Sequence, residues 1–326
     1  MIMLDAYRQM NEGITITNRL NGMRIMYWII SYVDDNTILK TFKNWTNIYE
    51  ILAEMKRSLI IWNELLTIRG GGLSLGKCKV SVMQWTQNFW GIQQIDTKNE
   101  MEKSIKINMD TNDSRDTTTL KRLSPHSVER ILGIRIPMSG EMKQEYEYRK
   151  QQIDALVHRL YTAPFSPKDA YIVYSTRYRP MIRYTLPVTS FTQTQLENIQ
   201  KRFIHILLPK LGMNRNTPRA IIFGPRTLGG RELMDLRVEQ PSLHLKTNIG
   251  RMRKNDKAGK LLRATLYDTQ IELGTKTSFL KLDPNVYHYV RTPGGDIYGR
   301  LHKYSIQIDI YNQWTPPVSK FNKMKS

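Results

Sequence analysis

Two adjacent aspartates, Asp34 and Asp35, follow the apolar, aromatic run Met23 to Val33. Neighbouring carboxylates repel each other unless a cation lies between them. Mg²⁺ is held by one or two carboxylates together with substrate phosphates, so Tyr32-Val33-Asp34-Asp35 suits nucleotidyl transfer. The simpler alternative is a solvated Asp-Asp-Asn turn. A second stretch, Gly71-Gly-Leu-Ser-Leu-Gly76-Lys77-Cys78, nearly matches the phosphate-cradling P-loop. It departs twice: Cys78 stands where that loop needs a hydroxyl, and the predicted order is helix then strand, the reverse of a P-loop. Lys77 is then an isolated cation entering a strand, or an ordinary surface lysine. The third set interleaves cations with aromatics: Arg149, Arg159, Arg177, Tyr178, Arg179, Arg183, Tyr184, Lys201, Arg202, Phe203, Arg215, Arg219 and Arg226. Guanidinium groups pair with phosphate in a fork and aromatic rings stack on bases, whereas any one of these residues alone would be a solvated charge.

These residues need elements to position them. A helix is predicted over Leu4 to Glu12, then a turn at Asn21–Gly22. Met23 to Val33 reads as one strand, Asp34-Asp35-Asn36 as a turn, and Thr37 to Leu39 as the returning strand. Ile48, Ile51, Leu52, Met55, Leu59, Trp62 and Leu66 recur at helical spacing, and Gly70 to Gly72 stop that helix. Lys79 to Trp85 reads as a strand, so the unit is hairpin, helix, strand. Residues 86–119 are polar and rich in turn formers, a linker or surface ribbon. Ile131 to Ile136 reads as a short strand. The rest is mainly helical: about Glu141 to Tyr161, a helix opened by Ser166 and Pro167, about Thr194 to Leu208, and about Ala258 to Leu273. Asp169 stands three residues after Ser166, where a capping box normally carries Glu.

The 326 residues carry 49 Lys/Arg and 29 Asp/Glu, a net charge of +20. The load is uneven, with a net of +2 over residues 1–100 and +18 over residues 101–326. Such a balance on a chain that is 40% hydrophobic favours a folded protein with a polyanionic partner, nucleic acid first and a membrane surface second. The single cysteine excludes an internal disulfide framework and any zinc site needing two thiolates from this chain. His126, His158, His205, His244, His288 and His302 show no metal-ligand spacing. No apolar run reaches the roughly 18 residues of a membrane span, and the first residues do not read as a signal peptide. An intracellular protein is expected, in nucleus or cytoplasm, with no membrane partner.

In order and spacing, these stretches resemble reverse transcriptases of non-LTR and group-II-like retrotransposons. Tyr32 to Asp35 resembles their catalytic box, and Gly71 to Cys78 the next polymerase motif, which ends in a lysine on the palm. Arg130-Ile-Leu-Gly133-Ile134 resembles the Leu-Gly strand that follows. Tyr178 to Tyr184 resembles a thumb-region segment, as do Leu211 to Asn216, Pro218-Arg219, Phe223 to Pro225 and Leu228 to Gly230. The resemblance covers about residues 1–275.

It implies an α+β fold: a partial polymerase palm (hairpin–helix–strand) at 1–137 with a polar insertion at 86–119, a basic, helical thumb-like region at 138–275, and an extension at 276–326. It also implies RNA-directed DNA synthesis with Mg²⁺, or Mn²⁺ in its place. The partners would be an RNA template, a DNA primer and deoxynucleoside triphosphates. Asp34 would be the principal metal ligand and Asp35 its weaker neighbour. Tyr32 and Val33 would lie near the primer end, and Lys77 near the leaving pyrophosphate as a general acid. Arg177, Arg179, Arg183, Lys201, Arg202, Arg215 and Arg219 would grip nucleic acid. The family also uses an upstream palm strand with a second metal-binding aspartate, and fingers. Only 33 residues precede Asp34, so little polymerisation is expected from this chain without an N-terminal polymerase portion. The alternatives are a non-catalytic nucleic-acid-binding relic of the same fold and, on the Gly71–Cys78 match alone, a P-loop nucleotide hydrolase.

Overall fold

The computed structural model describes residues 2–11, 13–17, 22–32, 35–43, 46–87, 89, 93–95, 105–108, 117–120 and 122–275. The fold is α+β, a mixture of helices and small sheets. It divides into two compact units, one strand-rich (essentially residues 24–131 with 1–16 and 136–141) and one helical (essentially residues 142 onward, with 132–135).

The strand-rich unit opens with α1 (Ile2–Met10), then β1 (Ile14–Thr17), β2 (Arg24–Tyr27), β3 (Ile29–Tyr32) and β4 (Asp35–Ile38). Helix α2 (Ile48–Thr67) follows, capped by Asn47, whose side chain accepts from the Tyr49 amide, and ended by Gly70 in the left-handed region at φ 77°. Its apolar stripe is the predicted one. Ile51 and Leu52 are buried against Val80, Val82 and Leu120, with Met55 and Leu59 half-buried beside them. Trp62 meets the fully buried Tyr7 of α1 edge-on, centroids 5.4 Å apart. Just beyond the end of α1, Asn11 accepts from the Ser58 hydroxyl of α2 at 3.2 Å. Lys40, its side chain only 5% exposed, pairs with Glu54 at 2.5 Å and ties the segment after β4 to α2.

Several strands differ from expectation. The single strand Met23 to Val33 bends at Trp28, because β2 pairs with β1 whereas β3 pairs with β4. The carbonyl of Trp28 accepts from Leu39 at 2.9 Å just where the ribbon changes partner. Gly13 permits the approach of β1, since a Cβ there would overlap the Tyr27 carbonyl oxygen. The strand Lys79 to Trp85 shrinks to β5 (Val80–Ser81). It lasts two residues because its partner is short. Of the two readings for residues 86–119, linker or surface ribbon, the described residues form ribbon: β6 (Trp85–Gln87) pairs antiparallel with β7 (Gln93–Ile95), and β8 (Ile105–Asn108) with β9 (Thr117–Leu120). The parallel partner of β5 is β10 (Arg122–Leu123), and Pro125, which has no amide to donate, stops it two residues on. The strand Ile131 to Ile136 is instead two, β11 (Val128–Ile131) and β12 (Ile134–Pro137), joined by a tight turn at Leu132 (φ 50°) and Gly133 (φ 85°). Among the described residues the strands pair only in twos, and the hairpin β3–β4 and strand β5 lie in separate sheets.

The helical unit comprises α3 (Lys143–Thr162), α4 (Pro167–Val173), a π-helical turn (Tyr174–Tyr178), α5 (Arg179–Arg183), α6 (Gln193–Lys210), α7 (Arg219–Phe223), α8 (Leu236–Met252) and α9 (Lys257–Glu272). Asp169 completes the capping box with Ser166 despite its shorter side chain, and Thr192 with Gln195 forms another. Helices α7 and α8 were both missed from sequence, α8 because Pro241 lies inside it. Proline removes one helical hydrogen bond. Burial on the other side of the balance holds the helix: Leu236, Gln240 and His244 are buried, Gln240 donates to the Phe191 carbonyl at 3.1 Å, and Gln200 accepts from the Leu236 amide at 2.7 Å. The core runs through Ile153, Leu160, Tyr174, Phe191, Leu207 and Leu236, with Tyr178 and Phe203 stacked at 3.9 Å at its centre.

Candidate functional site

Hairpin β3–β4 pairs Ile29 with Ile38, Ile30 with Thr37, Ser31 with Asn36 and Tyr32 with Asp35. The expected turn Asp34-Asp35-Asn36 is therefore shorter. Asp35 and Asn36 already belong to the returning strand, because antiparallel pairing of Tyr32 with Asp35 leaves two residues between them. Those two, Val33 and Asp34, lie outside the described residues. Among the described residues, no group of three or more His, Cys, Asp or Glu side chains converges as a metal site.

The glycine-rich stretch after α2 is built as a helix terminus. Leu75–Lys77 form a single 3₁₀ turn, and Lys77 is exposed at its end. Four of the eight backbone amides of Gly71–Cys78 are engaged within the chain. Gly71 N–H donates to Leu66 O at 3.0 Å, Leu73 N–H to Asn63 Oδ1 at 3.0 Å, Lys77 N–H to Ser74 O at 3.0 Å and Cys78 N–H to Leu75 O at 3.0 Å. The P-loop alternative loses its geometric basis here. The Cys78 thiol donates to the Ser74 carbonyl at 3.4 Å, and burial pushes its pKa up, away from thiolate chemistry.

The basic set separates into structural and available cations. Arg149 is structural: buried, it donates to Glu145 at 2.5 Å, to Gly133 O at 3.0 Å and to Gln152 at 2.9 Å. Glu145, wholly buried, also accepts from the Arg135 amide at 2.9 Å, and the Arg135 guanidinium lies 3.2 Å from the centroid of Tyr148. Arg183 pairs with Glu239 at 2.7 Å, and Arg202 with Asp154 at 2.7 Å. Arg226 is held by Tyr171 and Glu232. Arg177, Arg179, Lys201, Arg215 and Arg219 are exposed and form no ion pair among the described residues.

The aromatics did not divide as expected. Tyr178 and Phe203 are fully buried and stack on each other, so neither can stack on a base. Desolvation holds the Tyr178 phenol far above its ordinary value, and that of Tyr174 is also raised by burial. Tyr184 is 56% exposed, and its hydroxyl donates to the Leu132 carbonyl at 2.5 Å. The Leu132–Gly133 motif is therefore a turn fastened by Tyr184 and Arg149 rather than a strand. In the Leu228-Gly229-Gly230 motif, Gly230 is sterically required, since a Cβ there would overlap the Gly224 carbonyl.

Sequence reasoning missed a groove of about 550 Å³ lined by one face of α3 and one face of α6. Helix α3 contributes Tyr146, Lys150, Asp154 and Val157, and α6 contributes Asn198, Lys201, Arg202, His205 and Ile206. The signal was present: steps of four, four and three along α3, and three, one, three and one along α6, mark one face of each helix. No protein-family model, curated protein or solved structure matches the chain.

Proposed function

We propose that the chain is a palm-and-thumb portion of a retroelement reverse transcriptase, whose basic helical unit grips a template–primer duplex. The observation that carries this reading is the ordered series of boxes on named elements. Tyr32 and Asp35 close hairpin β3–β4, helix α2 follows, a glycine-rich turn then ends at Lys77, and the helical unit carries 23 Lys/Arg against 11 Asp/Glu over residues 142–275. The reading rests on this order, since the hairpin and β5 occupy different two-stranded sheets.

In this proposal Asp34 and Asp35 hold Mg²⁺. The ion supplies charge neutralisation at the triphosphate and activation of the primer 3′ hydroxyl. Tyr32 and Val33 position the primer end. Lys77, exposed, offers a cation to the departing pyrophosphate. Arg177, Arg179, Arg215 and Arg219 bind backbone phosphates, positioning the duplex without reading its sequence.

The test uses the full chain, alone and mixed with an N-terminal polymerase portion of the same family type, on an RNA template annealed to a DNA primer. Expected are duplex binding that falls steeply between low and moderate salt, and Mg²⁺-dependent primer extension that Asp34→Ala with Asp35→Ala abolishes while binding persists. Duplex binding that is flat with salt counts against the nucleic-acid reading. Extension that survives the double substitution rules out the assigned box. A second reading, a basic nucleic-acid-binding protein of this fold without catalysis, is favoured by one specific observation: among the described residues, hairpin β3–β4 and the strand β5 that follows Lys77 lie in separate two-stranded sheets. It predicts duplex binding without extension in either mixture.

A further inference from the structure

The groove between α3 and α6 has a chemistry that the exposed arginines elsewhere on the helical unit lack. Its cations come from both walls, Lys150 from α3 and Lys201 and Arg202 from α6. Apolar and aromatic side chains, Val157, Ile206 and Tyr146, line it between them. Asn198 and His205 add neutral hydrogen-bonding groups. One acid lies in this setting: Asp154, whose carboxylate accepts from Arg202 Nη1 at 2.7 Å and so bridges the two helices. Lys201 has no ion pair among the described residues, whereas Lys150 has a loose one to Glu147 at 3.6 Å on its own helix.

Size decides what fits. Packed helices have axes about 8–10 Å apart. The cleft above their line of contact is therefore narrow and encloses about 550 Å³, room for a short stretch of one extended strand rather than for the body of a duplex. Cations on both walls with an apolar lining match a single strand, whose phosphates take the charges while its bases leave water. We infer that this groove is a binding track for single-stranded nucleic acid, distinct from the duplex-gripping arginines, and that Asp154 restrains it by occupying Arg202. A strand's phosphate competes with Asp154 for the same guanidinium, so the acid lowers affinity in proportion to the strength of that pair. The inference rests on the reading that the helical unit binds nucleic acid.

The test measures fluorescence anisotropy of a labelled twelve-nucleotide single-stranded RNA and of an RNA–DNA duplex of equal length, both with the full chain. Lys150→Ala with Lys201→Ala is expected to weaken single-strand binding at least tenfold, with duplex binding changed less than twofold. The single-strand salt slope should fall by about 1.4, at roughly 0.7 per lost phosphate contact. Asp154→Asn should tighten single-strand binding about threefold by releasing Arg202. Arg177→Ala with Arg179→Ala should show the reverse selectivity, and far-ultraviolet melting curves verify that each variant is folded. Equal losses on both ligands, or none on the single strand, overturn the track. Duplex binding without single-strand binding by the unmodified chain overturns the track alone. Binding of neither ligand overturns the nucleic-acid reading as well.

Discussion

The two units bury their apolar surface in different ways, and their candidate chemistry differs accordingly. The helical unit has one continuous core from Tyr146 to Leu236, built around the Tyr178–Phe203 stack. Apart from the buried Arg149, its candidate phosphate-binding cations Arg177, Arg179, Lys201, Arg215 and Arg219 are exposed, so charge can change there without disturbing the fold. The strand-rich unit has a small cluster, Ile51, Leu52, Val80, Val82 and Leu120, and the Tyr7–Trp62 pair, with strands joined only in twos among the described residues. Two-stranded ribbons are marginal by themselves. Hairpin β3–β4, whose returning strand begins at Asp35, is such a ribbon, and the Lys40–Glu54 pair ties the segment after it to α2. In the proposed function, binding falls to the robust half and chemistry to the delicate one.

The largest expected effect breaks the robust half. Phe203→Ala removes one partner of the central stack and should cost about 3–5 kcal/mol, read as a lowered denaturant midpoint for the helical unit. A change under 1 kcal/mol would show that the stack is not its keystone. Glu145→Ala leaves Arg149 charged and buried without its carboxylate, at an expected cost of about 3–5 kcal/mol. Replacing both residues together with apolar ones of similar volume should recover most of that loss, and failure to recover would locate the cost in the Gly133 and Arg135 backbone contacts instead. Trp62→Ala should lower the stability of the strand-rich unit by about 3–5 kcal/mol and leave the other transition in place. A single transition that shifts as a whole would erase the contrast between the units.

Smaller effects sharpen the comparison. Arg177→Ala with Arg179→Ala should shift stability by less than about 0.5 kcal/mol while reducing the duplex salt slope by about 1.8, at roughly 0.9 per contact. The smallest concerns Cys78. Its folded pKa is raised by burial, so the unfolded chain loses the thiol proton first as pH rises. The resulting contribution to stability is complete below the ordinary thiol value of about 8.5 and is lost as pH rises through the folded value. Iodoacetamide at about pH 8.5 should therefore modify the native chain more slowly than the denatured one. Equal rates would mean that the strand-rich unit opens freely.

Much of the architecture was legible because local rules decide it. The α2 stripe, its glycine stop, the cap at Ser166 and the α+β class all follow from period and cap chemistry that neighbouring residues supply on their own. Strand lengths were not legible. Whether Met23 to Val33 is one strand or two depends on which ribbon each half pairs with, and β5 stops where Pro125 ends its partner forty residues away. Helix α8 was hidden by Pro241, whose local cost is offset by burial that no window of sequence contains.

The same division holds for the candidate sites. The order of the boxes, the net charge and its concentration toward the C-terminal part belong to the sequence alone. Tertiary structure decided which charges are available. It set Arg149, already beside its helical neighbour Glu145, on the Gly133 carbonyl, placed Arg183 on Glu239 and Arg202 on Asp154, buried Tyr178 and Phe203 face to face, and lined up Lys150 with Lys201 across a groove. Composition counts a charge the same whether or not it has a partner. Only packing brings together two residues distant along the chain, and it is that partner, or its absence, that decides whether a cation can meet a phosphate.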